Sequence, residues 1–141
     1  MKPKIILIHP PVAKPSEPPA GIARLSACLK ANGVEHQVVD ANLEGMLWLM
    51  RSAGRNGASC SKWDIRSFKN LDVNLQALQS IDTFRKKSRY TRAVVDVNHA
   101  LNVAGKPYGA MLSLSDYTDK KLSPVKSDDL IAASETPEAN P

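Results

Sequence analysis

A strand, a proline-rich loop, a helix and a second strand follow one another within the first 40 residues, and this order constrains the fold most. The stretch KIILIHPPVAKPSEPPAGIARLSACLKANG covers residues 4–33. Its continuous apolar run, Ile5 to Ile8, is typical of a strand covered on both faces. His9-Pro10-Pro11 ends that strand, because proline cannot donate a hydrogen bond to a neighbouring strand. The prolines in residues 12–19 stiffen the loop that follows.

The second half of this unit is a helix followed by another strand. An apolar stripe predicts a helix from Ala20 to Ala31, and Asn32-Gly33 is a strong signal for its end. Val34 to Asp40 then reads as a strand. Two strands joined by a helix favour parallel pairing with a right-handed crossover.

The pattern becomes helical after Asp40. We predict a short helix over 43–51, a glycine- and serine-rich loop over 52–61, and two short helices up to residue 78. Asp82 is the predicted N-cap of a long helix from Thr83 to Val103. The residues predicted along one side of that helix are Phe84, Thr91, Val94, Val95, Asn98 and Leu101.

The C-terminal part predicts a short strand at 111–114 and a small helix at 130–134, capped within Ser127-Asp128-Asp129. A clear third parallel strand is missing from the sequence pattern. Because a two-stranded sheet is marginal alone, either helices cover the sheet or the chain is a piece of a larger domain.

Length and composition exclude several classes of protein. A chain of 141 residues suits one domain, and no apolar run approaches the ~20 residues of a membrane helix. The N-terminus lacks signal-peptide features, so we expect a cytoplasmic protein. Cys28 and Cys60 are far apart and predict two free thiols. The net charge of +5 permits an anionic partner without requiring one.

The candidate site lies where the two parallel strands end. Ligands of open α/β sheets bind outside the carboxyl ends of the strands, which here are residues 9–21 and 40–45. Gly21, at a helix start, lets a ligand approach backbone N–H groups. The motifs G-x-G-x-x-G and G-x-x-x-x-G-K-[ST] are absent, so a dinucleotide or P-loop site is unsupported. The loop is either a ligand loop or a rigid connector.

Single residues at these strand ends have two interpretations each. Asp40 could bind ligand hydroxyls, or it could cap the helix that starts near Leu43. His9 could contact a ligand or be structural. His36 and His99 do not cluster with it in sequence. The pattern supports no catalytic triad and no metal site.

A basic run surrounds Tyr90, and it too has two interpretations. Its members are Arg85, Lys86, Lys87, Arg89 and Arg92. On a helix these side chains spread over much of the surface, which favours a solvated face. Contact with nucleic acid is the alternative.

Residues 4–45 resemble the N-terminal region of cobalamin-binding-domain radical SAM proteins. The family pattern is a strand ending in N-P-P or similar, a proline-rich loop, P-x-G before an apolar helix, then G-x-x-V-x-x-x-D-A-N. The matching pieces here are Pro10-Pro11, Pro18-Pro19-Ala20-Gly21, Leu25, Leu29, Gly33 and Asp40-Ala41-Asn42. The remaining chain looks like the spacer of a subset of these proteins.

This resemblance implies a Rossmann-like unit that holds cobalamin over a radical SAM catalytic domain of the same polypeptide. The residues expected near the corrin are His9, Pro10, Pro11, Pro19, Gly21, Asp40 and Asn42. The cobalamin motif D-x-H-x-x-G is absent, so no lower cobalt ligand is named. The motif C-x-x-x-C-x-x-C is absent too, and two cysteines cannot supply three thiolates. The iron–sulfur cluster and S-adenosylmethionine therefore belong to the complete protein, and this chain alone should not catalyse the reaction.

The sequence thus predicts an α/β fold: a partial Rossmann-like βαβ unit at 1–45, a mainly helical extension at 46–118 and a polar, flexible tail at 119–141. The expected function is that of an N-terminal cofactor-binding module, present here as a fragment. The alternative is a small non-catalytic interaction protein that binds nucleic acid through residues 85–92. A non-functional remnant is the third interpretation.

Overall fold

Helices make up most of the chain, with a few short strands. The structure is a computed structural model that describes residues 5–10, 19–55, 61–119, 121–123 and 125–135. In chain order the elements are β1 (Ile5–His9), α1 (Ala20–Ala31), β2 (His36–Asp40), α2 (Ala41–Arg55), α3 (Lys62–Lys69), α4 (Leu71–Leu78), α5 (Ile81–Arg85), α6 (Lys87–Gly105), β3 (Ala110–Leu112), β4 (Tyr117–Asp119) and α7 (Ser127–Glu135). A 3₁₀ turn, Lys106–Tyr108, joins α6 to β3. The fold is therefore mixed α/β and mostly helical.

The first two strands pair in parallel, as predicted. Ile5 lies opposite His36 at one end of the pair, and His9 lies opposite Asp40 at the other. Within the described ranges this sheet has two strands. The proline loop predicted over 12–19 falls mostly on residues 11–18, which lie outside the described residues.

Helix α1 begins and ends where the sequence predicts. Gly33 has a φ of +67°, its N–H donates to Lys30, and the N–H of Val34 donates to Leu29. This pair of bonds is a Schellman motif, in which a glycine with positive φ satisfies the last carbonyls of a helix. The Asn32-Gly33 stop signal is confirmed.

Helix α1 packs on one face of the β1–β2 sheet, and on the opposite face the described side chains of β1 are open to solvent. The hydroxyl of Ser26 on α1 lies 2.7 Å from Nε2 of His36 on β2, which places His36 on the covered face. Side chains alternate along a strand, so Ile6 and Ile8 point the other way, and they are 53% and 59% exposed. The prediction of a strand covered on both faces is wrong for β1 in this chain.

Two of the predicted helices have different bounds in the structure. Helix α2 extends to Arg55, so part of the loop predicted over 52–61 is helical. The long helix predicted from Thr83 is interrupted at Lys86, which separates α5 from α6. The N-cap of α5 is Ser80, whose hydroxyl accepts the N–H of Thr83, and not Asp82. The expected division of the chain at 45/46 and 118/119 stays a prediction.

The core forms around α6. The buried cluster consists of Met50, Leu71, Val97, Ala100, Leu101, Ala110 and Leu112. Helix α6 also buries Ala93 and Ala104, whereas the predicted stripe residues Thr91 and Val95 are exposed. Of the predicted stripe, Leu101 is buried and Val94 and Asn98 are half-buried. The buried face also includes three alanines, Ala93, Ala100 and Ala104, which the predicted stripe leaves out.

The antiparallel hairpin of β3 and β4 closes the end of α6. Ala110 lies opposite Asp119, and Leu112 lies opposite Tyr117. A Cβ at Gly105 would lie 2.7 Å from the carbonyl oxygen of Ala110, so this turn requires glycine at the end of α6. The small helix predicted near residue 130 is present as α7. None of the helices in the described ranges combines the length and apolarity needed to cross a bilayer.

Candidate functional site

The ends of β1 and β2 bring two predicted site residues side by side. His9 is the register partner of Asp40, and both side chains are half-buried. Adjacent strands lie about 4.8 Å apart, so an imidazole and a carboxylate stand next to each other at this edge. Parallel pairing therefore brings the two strand ends to one edge of the sheet, as the sequence predicts.

The Asp40 carboxylate caps helix α2. Its Oδ1 accepts the backbone N–H of Leu43 at 2.9 Å. This is an N-cap interaction, which is one of the two roles that the sequence predicts for Asp40. In the described part of the chain its second oxygen makes no hydrogen bond. Asp40 therefore holds the start of α2 with one of its two oxygens.

The other predicted site residues lie around this edge in different settings. Pro10 is exposed directly after β1, and Pro19 is half-buried before α1, where its carbonyl accepts the N–H of Ala23. Gly21 is exposed, and a Cβ there would meet nothing within 4 Å. Asn42 is 4% exposed and already interacts within the protein. Pro11 lies outside the described residues.

The start of α1 adds hydrogen-bond donors near the strand ends. The first N–H groups of a helix have no partner within it, and α1 has no acidic residue in its first turn and no side-chain cap. Donors of α1 and the Asp40 carboxylate thus border the same edge.

A second group of polar side chains joins α3 to α6, and the sequence analysis missed it. The Trp63 indole stacks on the His99 imidazole, with ring centroids 3.7 Å apart and planes inclined by 8°. The Trp63 Nε1–H donates to Oδ1 of Asp96 at 3.2 Å, and Arg66 donates to the same oxygen at 3.0 Å. Asp96 is buried, so these two donors compensate for removing its charge from water.

Asp64 connects the same group to the start of α3. The Ser61 hydroxyl accepts the Asp64 N–H, and the Asp64 carboxylate accepts the Ser61 N–H, which is a capping box. The other Asp64 oxygen accepts Nε2–H of His99 at 2.6 Å. The S-x-x-D spacing could have predicted the capping box. The partnership with His99, 35 positions away, has no local signal.

This second group acts as a structural connection between helices. Ser67, the hydroxyl residue on α3, is buried and makes no hydrogen bond, so it is not activated by His99. In the residues that the structure describes, no group of three or more His, Cys, Asp or Glu side chains could hold a metal ion. The geometry indicates that the network fixes α3 on α6.

The basic run lies across the break between α5 and α6. Arg89 donates to Oδ1 of the buried Asn74, so it helps to hold α4 on α6. Arg85, Lys86, Lys87 and Arg92 are exposed. Tyr90 packs edge-on against Phe84, with ring centroids 5.3 Å apart. This surface is mainly a solvated face, with one cation used structurally.

Comparison with protein-family models, with curated proteins and with solved structures finds no match to this chain. The resemblance of residues 4–45 to cobalamin-binding-domain radical SAM proteins therefore continues as a hypothesis.

Proposed function

We propose that the βαβ unit is a Rossmann-like, cofactor-binding module of a cobalamin-type radical SAM protein, and that it contributes one edge of a cobalamin site. The observation that supports this proposal is the pairing of His9 with Asp40 at the carboxyl ends of two parallel strands. This is the place where open α/β sheets bind ligands.

Each group at the edge has a role in this proposal. The second carboxylate oxygen of Asp40 accepts hydrogen bonds from amide groups on the cofactor periphery. The His9 imidazole contacts the cofactor next to Asp40. The N–H groups at the start of α1, next to Gly21, donate to acceptors on the same cofactor. Asn42 supports the site by fixing the first turn of α2, since it is buried.

The rest of the chemistry lies outside this chain in the proposal. Cobalamin supplies a transferable methyl group, and the protein positions it. Reductive cleavage of S-adenosylmethionine needs a cluster held by three cysteines, and the sequence contains two. The partner is accordingly a radical SAM catalytic domain of the same polypeptide, which covers the remaining side of the cofactor. The open face of the β1–β2 sheet fits a module that packs against further protein.

Equilibrium dialysis with hydroxocobalamin, read by visible absorbance, tests the binding edge. Asp40→Asn keeps an N-cap residue but removes the charge, and His9→Gln removes the imidazole. We expect each variant to bind about 5-fold more weakly, which corresponds to about 1 kcal/mol for one hydrogen bond. Asp82→Asn, which removes an exposed carboxylate far along the chain, is the matched control. No retention by the unsubstituted chain, or equal binding by all variants, would contradict the proposal.

The DNA that follows the codon for Pro141 tests the family assignment separately. We expect an open reading frame with further β/α units and a C-x-x-x-C-x-x-C motif. A frame without three suitably spaced cysteines would remove the radical SAM part of the proposal. The dialysis result would still decide whether the edge binds cobalamin.

Nucleic-acid binding through residues 85–92 is the second candidate, supported by exposed cations at the break between α5 and α6. Fluorescence polarisation with a labelled single-stranded oligonucleotide, repeated at rising salt, tests it. If this candidate is correct, Lys86→Gln/Lys87→Gln weakens binding and flattens its salt dependence. Lys30→Gln/Lys62→Gln, which removes equal charge elsewhere, should then leave binding unchanged. No binding at low salt would exclude this candidate.

A further inference from the structure

A cleft between α2, α3 and the start of α4 has an apolar floor and a cationic rim. Its volume is about 440 Å³, within the range of small-molecule sites. It lies in the helical part of the chain, apart from the strand ends considered above.

The floor of the cleft belongs to the hydrophobic core. Met50 and Leu71 are buried, and the half-buried ring of Phe68 packs against them. A Cβ at residue 54 would lie 3.3 Å from Cδ1 of Phe68, so the ring packs close to the backbone of α2 at Gly54. Ile65 adds an exposed apolar side chain at one wall. The floor can therefore receive an apolar group.

The rim carries an excess of positive charge. Arg51, Arg55 and Lys69 line the cleft together with one carboxylate, that of Asp72. Arg51 pairs with Asp72 at 3.3 Å, and both side chains are more than half exposed, so the pair is weak and exchanges readily for another partner. Within the described ranges, Arg55 and Lys69 have no acidic partner. Two cations thus border an apolar floor without being neutralised.

We propose that this cleft binds a small amphipathic carboxylic acid, with its apolar body on Phe68 and Leu71 and its carboxylate between Arg55 and Lys69. Charge complementarity selects an anion, and the apolar floor selects a ligand with a hydrocarbon or aromatic body. Arginine suits this role, because its planar guanidinium donates two parallel hydrogen bonds to a carboxylate.

Titration of the ¹⁵N-labelled full chain with decanoate, followed by NMR, tests this proposal. We expect saturable shifts of the amides of Gly54, Phe68 and Leu71. The uncharged analogue decanol should bind at least 10-fold more weakly, because it lacks the carboxylate. The absence of saturable shifts, or shifts centred on Ile6 and Ile8 of the open sheet face, would overturn the proposal.

A pair of double variants separates the rim from general charge effects. Arg55→Gln/Lys69→Gln should weaken decanoate binding at least 10-fold and leave the binding of decanol unchanged. Arg24→Gln/Lys106→Gln removes the same charge from exposed positions outside the cleft and should change decanoate binding less than 2-fold. All four side chains are exposed, so we expect the circular dichroism spectrum to be retained. Equal weakening by both double variants would contradict a specific carboxylate site.

Discussion

The βαβ unit and the helical part differ in how completely their residues are buried. Val97, Ala100 and Leu101 on α6 are 0% exposed, surrounded by α2, α4 and β3. Among the described residues before Asn42, by contrast, none is buried. The chain thus contains a closed core around α6 and a poorly buried βαβ unit, although the β1 strand of that unit is a continuous apolar run.

The two regions differ in burial because they differ in the number of elements packed around them. A parallel strand pair needs cover on both faces, and α1 covers one of them. Helix α6 is instead enclosed on several sides. An apolar strand sequence therefore predicts that both faces of the strand should be covered, but it does not predict whether this chain contains the elements that cover them. A module that packs against further protein or a cofactor is expected to have such an incomplete layer.

The largest expected effect is the loss of a core side chain in the helical part. Leu101→Ala should lower the free energy of unfolding by about 3 kcal/mol, since it removes a fully buried side chain and leaves a cavity. Urea denaturation followed by tryptophan fluorescence measures it, because Trp48 and Trp63 both lie in the helical part. A loss below about 1 kcal/mol would mean that α6 is not the centre of the core.

Two glycines give a sharper comparison of the regions. Gly105→Ala should cost about 2 kcal/mol, because its Cβ would lie 2.7 Å from the Ala110 carbonyl oxygen. Gly21→Ala meets open space on α1 and should stabilise that helix by about 0.5–1 kcal/mol. Thermal unfolding followed by circular dichroism measures both. Equal effects at the two sites would contradict the contrast in packing.

The polar connection between α3 and α6 should contribute less. Asp96→Ala removes the acceptor of both Trp63 and Arg66 and should cost about 1–2 kcal/mol. Asp72→Ala is the matched control, because its ion pair with Arg51 is exposed and should be worth about 0.5 kcal/mol or less. Urea denaturation distinguishes the two. An Asp96→Ala loss no larger than that of the control would show that the network does not hold α3.

The smallest effect on stability is expected at the open sheet face. Ile6→Thr/Ile8→Thr keeps β-branched side chains and should change the free energy of unfolding by less than about 0.5 kcal/mol. The substitution should nevertheless reduce self-association, measured by light scattering, because it removes exposed apolar area. A large loss of stability would indicate that this face is covered within the chain.

Local signals predicted the first unit well and the helical core less well. The apolar run of β1, the Asn32-Gly33 stop and the Asp40 cap act through neighbouring residues, so the sequence carries them. The buried face of α6 was misplaced because alanines gave it little hydrophobic contrast. The Asp64–His99 and Asp96–Trp63 contacts join residues more than 30 positions apart, and only the fold brings them together.

Hydrogen–deuterium exchange of the full chain, with and without hydroxocobalamin, tests the central claim most directly. Amides of α6 should exchange slowly in both samples, since they lie in the closed core. Amides of β1, α1 and β2 should exchange within the first time points alone and become protected when hydroxocobalamin is added. Uniform protection across both regions, or no change in residues 5–45 with hydroxocobalamin, would contradict the account.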